Sequence, residues 1–88
     1  MFSQVHANRV LYKDDAKPGH RYRQITVVER EEFELHIFEG DVVQTEPAFT
    51  TKNPDAEVYF HRDLQSALSD VEDEFGDSVA SGWIPYTP

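Results

Sequence analysis

The groups in this 88-residue chain with the most chemical potential are its seventeen carboxylates and four histidines. The histidines (His6, His20, His36, His61) raise the question of a metal site. No two of them stand four apart, and none sits in an HExxH pattern, so the spacing that aims two imidazoles at one zinc ion is missing. His36 and Glu34 share the outer face of one extended segment, which brings only two ligands together. The run Asp70 to Gly76 (DVEDEFG) imitates half of a calcium loop. With Asp70 at the first position, Phe75 stands where the turn glycine is needed and Ser81 where the bidentate glutamate is needed, so calcium is rejected. There is no cysteine, which excludes disulfides, thiol nucleophiles and thiolate metal sites. Ser78 and Ser81 lie in no nucleophile-elbow pattern, and four scattered glycines form no phosphate loop. A glycosidase-type carboxylate pair needs a cleft and an apolar pocket, for which so short a chain has little room. The expectation is a non-enzyme with no catalytic, cofactor-binding or metal-binding residues.

The remaining candidates are acidic, and a helix must position them. From Arg62 to Phe75 the apolar residues Leu64, Ala67, Leu68, Val71 and Phe75 recur at steps of three and four, with one adjacent pair. That stripe predicts an amphipathic helix over 62–75, with Asp63 near its start and Gly76 as the stop. Ser66, Asp70, Asp73 and Asp77 lie opposite the stripe, flanked by Asp63 and Glu74, and no Lys or Arg follows Asp63. Neighbours on such a face are about 5–6 Å apart, and like charges there cost a few tenths of a kcal/mol per pair. The face reads either as a solvated surface or as a docking stripe for a basic protein partner. In the second case the contact residues are Asp63, Asp70, Asp73, Glu74 and Asp77. A variant of that reading is a nucleic-acid mimic that blocks a DNA- or RNA-binding protein.

The rest of the chain reads as strands and turns. A strand is expected around 8–13, then a loop from Lys13 to His20 with its Pro18-Gly19 turn pair. Residues 21–30 alternate. Tyr22, Gln24, Thr26 and Val28 face one way; Arg23, Ile25 and Val27 face the other. After a polar turn at Glu29 to Glu32, residues 33–39 alternate again. Phe33, Leu35 and Ile37 face the core, and Glu34 and His36 face outward. Phe38 falls on the outward face by parity, which implies that this face is partly covered. Gly40-Asp41 predicts a turn into a third strand of the meander at Val42 to Thr45, with an open edge for pairing. Pro47 to Glu57 reads as a loop anchored by Phe49, and Val58-Tyr59-Phe60 as a last strand or a lead-in to the helix. The tail from Val79 to Pro88 reads as an irregular segment over one edge of the core. The expected fold is α+β, a single domain over 1–88. It has a small antiparallel sheet of three to four strands with one amphipathic helix packed on one face.

The charge is uneven. Residues 1–30 hold six cations (Arg9, Lys13, Lys17, Arg21, Arg23, Arg30) against three anions; residues 31–88 hold two cations against fourteen anions, and the whole chain carries −9. Such a balance makes nucleic acid an improbable ligand overall. It also suggests that Arg21 and Arg23 pair across strands with the acidic half. No apolar run approaches the ~20 residues of a membrane span, and MFSQVHANRV has no signal-peptide core, so a cytoplasmic protein off the membrane is expected. Oligomeric state is not readable from this pattern.

The order of elements resembles a WGR domain, a small module found in poly(ADP-ribose) polymerases. Tyr22-Arg23 opens a strand, Phe33 to Phe38 (FELHIF) follows, then a loop, the helix with Ala67 and Phe75, and Gly82-Trp83. The resemblance spans about residues 8–86 and implies the fold, with nucleic-acid binding through the basic 9–30 segment as a further alternative. Where the Trp-Gly-Arg signature would stand, this chain has Gly40-Asp41-Val42-Val43, so the resemblance assigns no functional residue.

Overall fold

The β-branched run Ile25-Thr26-Val27-Val28 lies at the centre of the molecule, as its stiff side chains favour. The computed structural model describes residues 4–45 and 56–87. Its elements are β1 (Gln4–Tyr12), β2 (Tyr22–Glu29), β3 (Phe33–Gly40), β4 (Glu57–His61), α1 (Leu64–Ala80) and β5 (Ile84–Tyr86). They form one five-stranded sheet in the order β4-β3-β2-β1-β5, and every pairing is antiparallel. The fold is therefore α+β, with one helix on one face of the sheet. The first strand begins earlier than expected, and a register shift between Val5 and Ala7 absorbs the unclear alternation of its first half.

The sheet exceeds the three to four strands expected, because part of the tail is not irregular. Ile84, Pro85 and Tyr86 pair with Tyr12, Leu11 and Val10 of β1. Val58-Tyr59-Phe60 belongs to a strand, seated beside β3 with Leu35 opposite Tyr59. The strand expected at Val42 to Thr45 does not form. There the Gln24 side chain takes the place of a ladder partner. Its Oε1 accepts from the Gln44 backbone N–H at 2.6 Å, and its Nε2 donates to the Gln44 carbonyl at 3.2 Å. Val42 is left exposed, and the outer position beside β3 goes to β4. The loop expected from Pro47, with Phe49 as its anchor, lies outside the described residues up to Asp55.

Leu11, Ile25, Val27, Leu35 and Ile37 meet Ala67 and Val71 of α1, with Leu64, Phe75 and Trp83 packed around them. Full burial of a Leu, Ile or Val side chain contributes about 1.5–3 kcal/mol. The helix starts two residues inside its expected beginning and runs past its expected end. Asp63 is the N-cap, in extended backbone, and its Oδ1 accepts from the Ser66 N–H at 2.8 Å, so Arg62 lies outside. Gly76 does not end the helix; it sits within it, with open space around its Cα. The stripe continues through Ser78, which is 4 % exposed because its hydroxyl donates to the Glu74 carbonyl at 2.7 Å. The stop is Gly82, at φ 101°. Gly82 N–H donates to the Val79 carbonyl and Trp83 N–H to the Ser78 carbonyl, both at 3.0 Å, a Schellman closure that needs a residue tolerant of positive φ.

Candidate interaction surface

The five acidic positions singled out from the sequence all lie on α1 or at its cap, and the fold gives them different work. Asp63 caps the helix. The Ser66 backbone N–H, and then its hydroxyl, hold the Asp63 carboxyl below the usual carboxylate range. Asp70 leans toward the sheet and meets His61 Nε2 at 3.0 Å. Glu74 also turns inward, 3.9 Å from Arg23. Burial first, and then the neighbouring Asp70, push the Glu74 carboxyl up. Asp77 and Glu57 add to that push, and Arg23 only partly offsets it. Glu72, absent from the sequence-based set, is paired with Arg9, whose guanidinium also lies 3.8 Å from the Phe75 ring centre. Asp73 and Asp77 remain on the exposed side of α1, and among the described residues no cation stands within 4 Å of either carboxylate.

Half of the six cations in residues 1–30 are paired inside the molecule. Arg23 lies directly opposite Glu39 on β3 and donates to its Oε2 at 2.7 Å, the cross-strand pairing expected from the charge layout. Arg9 pairs with Glu72 and Arg30 with Glu34. That leaves Lys13, Lys17 and Arg21 without a carboxylate within 4 Å among the described residues. Lys13 lies 5.7 Å from the centre of the Trp83 ring, and both border a shallow depression that also touches Lys17 and Glu39.

Each histidine has a carboxylate partner: His6 with Glu29, His20 with Glu39, His36 with Glu34 and His61 with Asp70. His36 is not outward-facing in the solvated sense; it is 3 % exposed. Its Nε2 meets Glu34 at 3.0 Å, as the shared strand face suggested, and Arg30 donates to the same carboxylate. Among the described residues no third His, Asp or Glu joins the pair to make a metal-binding group.

Sequence patterning missed the polar character of the buried face opposite α1. Gln24, Thr26 and His36 are all 3 % exposed or less, alongside Val10, Val28 and Phe38. The covered Phe38 is the one sign of this that parity supplied. Thr26 and His36 sit opposite one another in the β2–β3 register, and Thr26 Oγ1 and His36 Nδ1 both lack a hydrogen-bond partner among the described residues.

No helix among the described residues is long and apolar enough to cross a membrane. No family model, curated protein or solved structure matches this chain.

Proposed function

We propose that this chain is a non-catalytic interaction domain that takes a basic protein partner against the acidic side of α1. The observation that carries this reading is the division of labour along the helix. Asp70, Glu72 and Glu74 are turned to His61, Arg9 and Arg23 of the sheet, whereas Asp73 and Asp77 stand in solvent with no such partner beside them among the described residues. A partner's Lys or Arg would meet them without breaking any contact that holds the fold. It would also offset the charge of Asp77, which adds to the push that burial and Asp70 exert on Glu74.

The test uses D73N/D77N, since neither side chain caps the helix or joins an ion pair. Basic proteins captured from the native host by the wild type are re-measured as purified pairs over a salt series. The expected result is affinity that falls with salt and a loss of about three- to tenfold in the variant. Equal affinity for the variant and the wild type ends the reading.

Lys13 and Lys17, which border the same depression as Trp83 and have no carboxylate within 4 Å among the described residues, favour one second reading, a divergent WGR-like nucleic-acid contact. Trp83 is the one tryptophan of the chain, so its fluorescence reports directly. Quenching by DNA at about 0.15 M salt would rank this reading first.

A further inference from the structure

The two edges of the sheet are not alike. At one edge, β5 offers three residues, and the central one is Pro85, which has no N–H to donate. At the other, β4 offers five (Glu57-Val58-Tyr59-Phe60-His61) with neither Pro nor Lys among them. Among the described residues no strand flanks β4 on its outer side, so none of them supplies a ladder partner to its outward N–H and C=O groups. The same strand carries exposed aromatic surface: Phe60 is 62 % and Tyr59 44 % exposed.

We propose that β4 pairs antiparallel with β4 of a second copy of this chain, about a two-fold axis at Tyr59, to give one continuous sheet across the dimer. The strand is complementary to itself in that register. Glu57 lies opposite the second copy's His61, and Val58 lies opposite its Phe60; the reciprocal contacts follow by symmetry. Carboxylate meets imidazole on the helix side of the sheet, and apolar meets apolar on the other side. His61 meets Asp70 through Nε2, and in its doubly protonated form the ring would also donate from Nδ1 to the incoming Glu57. Tyr59 meets its own copy on the axis, beside the Glu57 carboxylate that its hydroxyl already contacts at 2.9 Å. A shift of one residue would set Phe60 opposite Tyr59 on conflicting faces and would lose the Glu57–His61 match, so one register is favoured.

This proposal does not rest on the acidic face of α1, and salt separates the two. Each copy carries −9, so its net repulsion must be screened before two edges meet. Self-association therefore strengthens with salt, whereas capture of a basic partner weakens.

The test is sedimentation of the full chain from about 10 µM to about 1 mM, in low and high salt, because an interface this small falls in the weak class. The expected result is a monomer–dimer equilibrium that shifts to dimer at higher salt and is lost in Phe60→Lys. The Phe60→Lys monomer should keep the wild-type melting temperature, since the side chain is mostly in water. The register is checked with Tyr59→Cys, for the natural chain has no cysteine to interfere. Residues directly opposite in antiparallel strands have Cα atoms about 4.5–5.5 Å apart, within disulfide reach. Under mild oxidation Cys at 59 should cross-link at least about tenfold faster than Val79→Cys, a site on the exposed end of α1 that tests random collision. A monomer at every concentration and salt, with the two cysteine variants cross-linking equally slowly, overturns the proposal and leaves the edge to a strand from another protein.

Discussion

The two faces of the sheet are both buried, but by opposite chemistry. On the helix side Leu11, Ile25, Val27, Leu35 and Ile37 meet the stripe of α1. On the other side Gln24, Thr26 and His36 are buried among Val10, Val28 and Phe38. The first face is held by contacts that ask only for shape and apolarity. The second is held partly by specific bonds, such as the two between Gln24 and the Gln44 backbone. It also carries a cost, because Thr26 Oγ1 and His36 Nδ1 are desolvated with no partner among the described residues. The difference teaches that apolar burial carries the stability of this molecule, while the polar face directs the chain where it leaves β3.

The largest effect should come from the apolar face. Leu35→Ala removes a side chain with no exposure at all and should cost about 2–5 kcal/mol in denaturant unfolding. A cost below about 1 kcal/mol would mean that the helix does not seal that face. The polar face should answer with the opposite sign. Thr26→Val keeps the shape and deletes a buried hydroxyl that has no partner among the described residues, so it should stabilise by about 1 kcal/mol. Loss of stability there would show that the hydroxyl has a partner in solution. The cover itself can be tuned without touching either face. Gly76→Ala adds a Cβ into open space within α1 and should stabilise by roughly 1 kcal/mol or slightly less.

The smallest effect concerns the charge at the helix flank. The Glu74 carboxyl is raised in the folded protein, so the native state holds its proton more tightly than the unfolded chain does. Its charged form therefore lowers stability above the raised value, and that penalty disappears as pH falls below the ordinary glutamate range. Glu74→Gln should melt slightly higher than the wild type near neutral pH, and the gap should close as pH falls. Asp63, held low by Ser66, behaves in the opposite sense: its stabilisation is present above the ordinary aspartate value and fades as pH falls through its lowered one.

Several features were legible before any coordinates. The steps from Leu64 to Phe75 gave the helix, and alternation over 21–30 and 33–39 gave β2 and β3. The extension of α1 to Ala80 was hidden because Ser78 carries the stripe with a hydroxyl, and a hydrophobic pattern does not count a hydroxyl satisfied by its own helix. Gly76 imitated a stop, but a glycine ends a helix only where positive φ is used, as at Gly82. Strand β5 was masked by Pro85, which is tolerated at an edge. The acidic residues of the helix were visible as a group. Their sorting into cap, internal pair and free charge was not, because the cations that claim Glu72 and Glu74 come from β1 and β2, dozens of residues away.

By itself the sequence determined what local periodicity can encode: an α+β composition, an amphipathic helix late in the chain, a surplus of negative charge, and the absence of thiol chemistry. Only the tertiary structure decided which strand took the outer place beside β3, that the face bearing Gln24, Thr26 and His36 is buried, and which carboxylates of α1 stand free. Those outcomes depend on contacts between segments far apart in the chain, and periodicity describes a segment's faces without naming what will cover them.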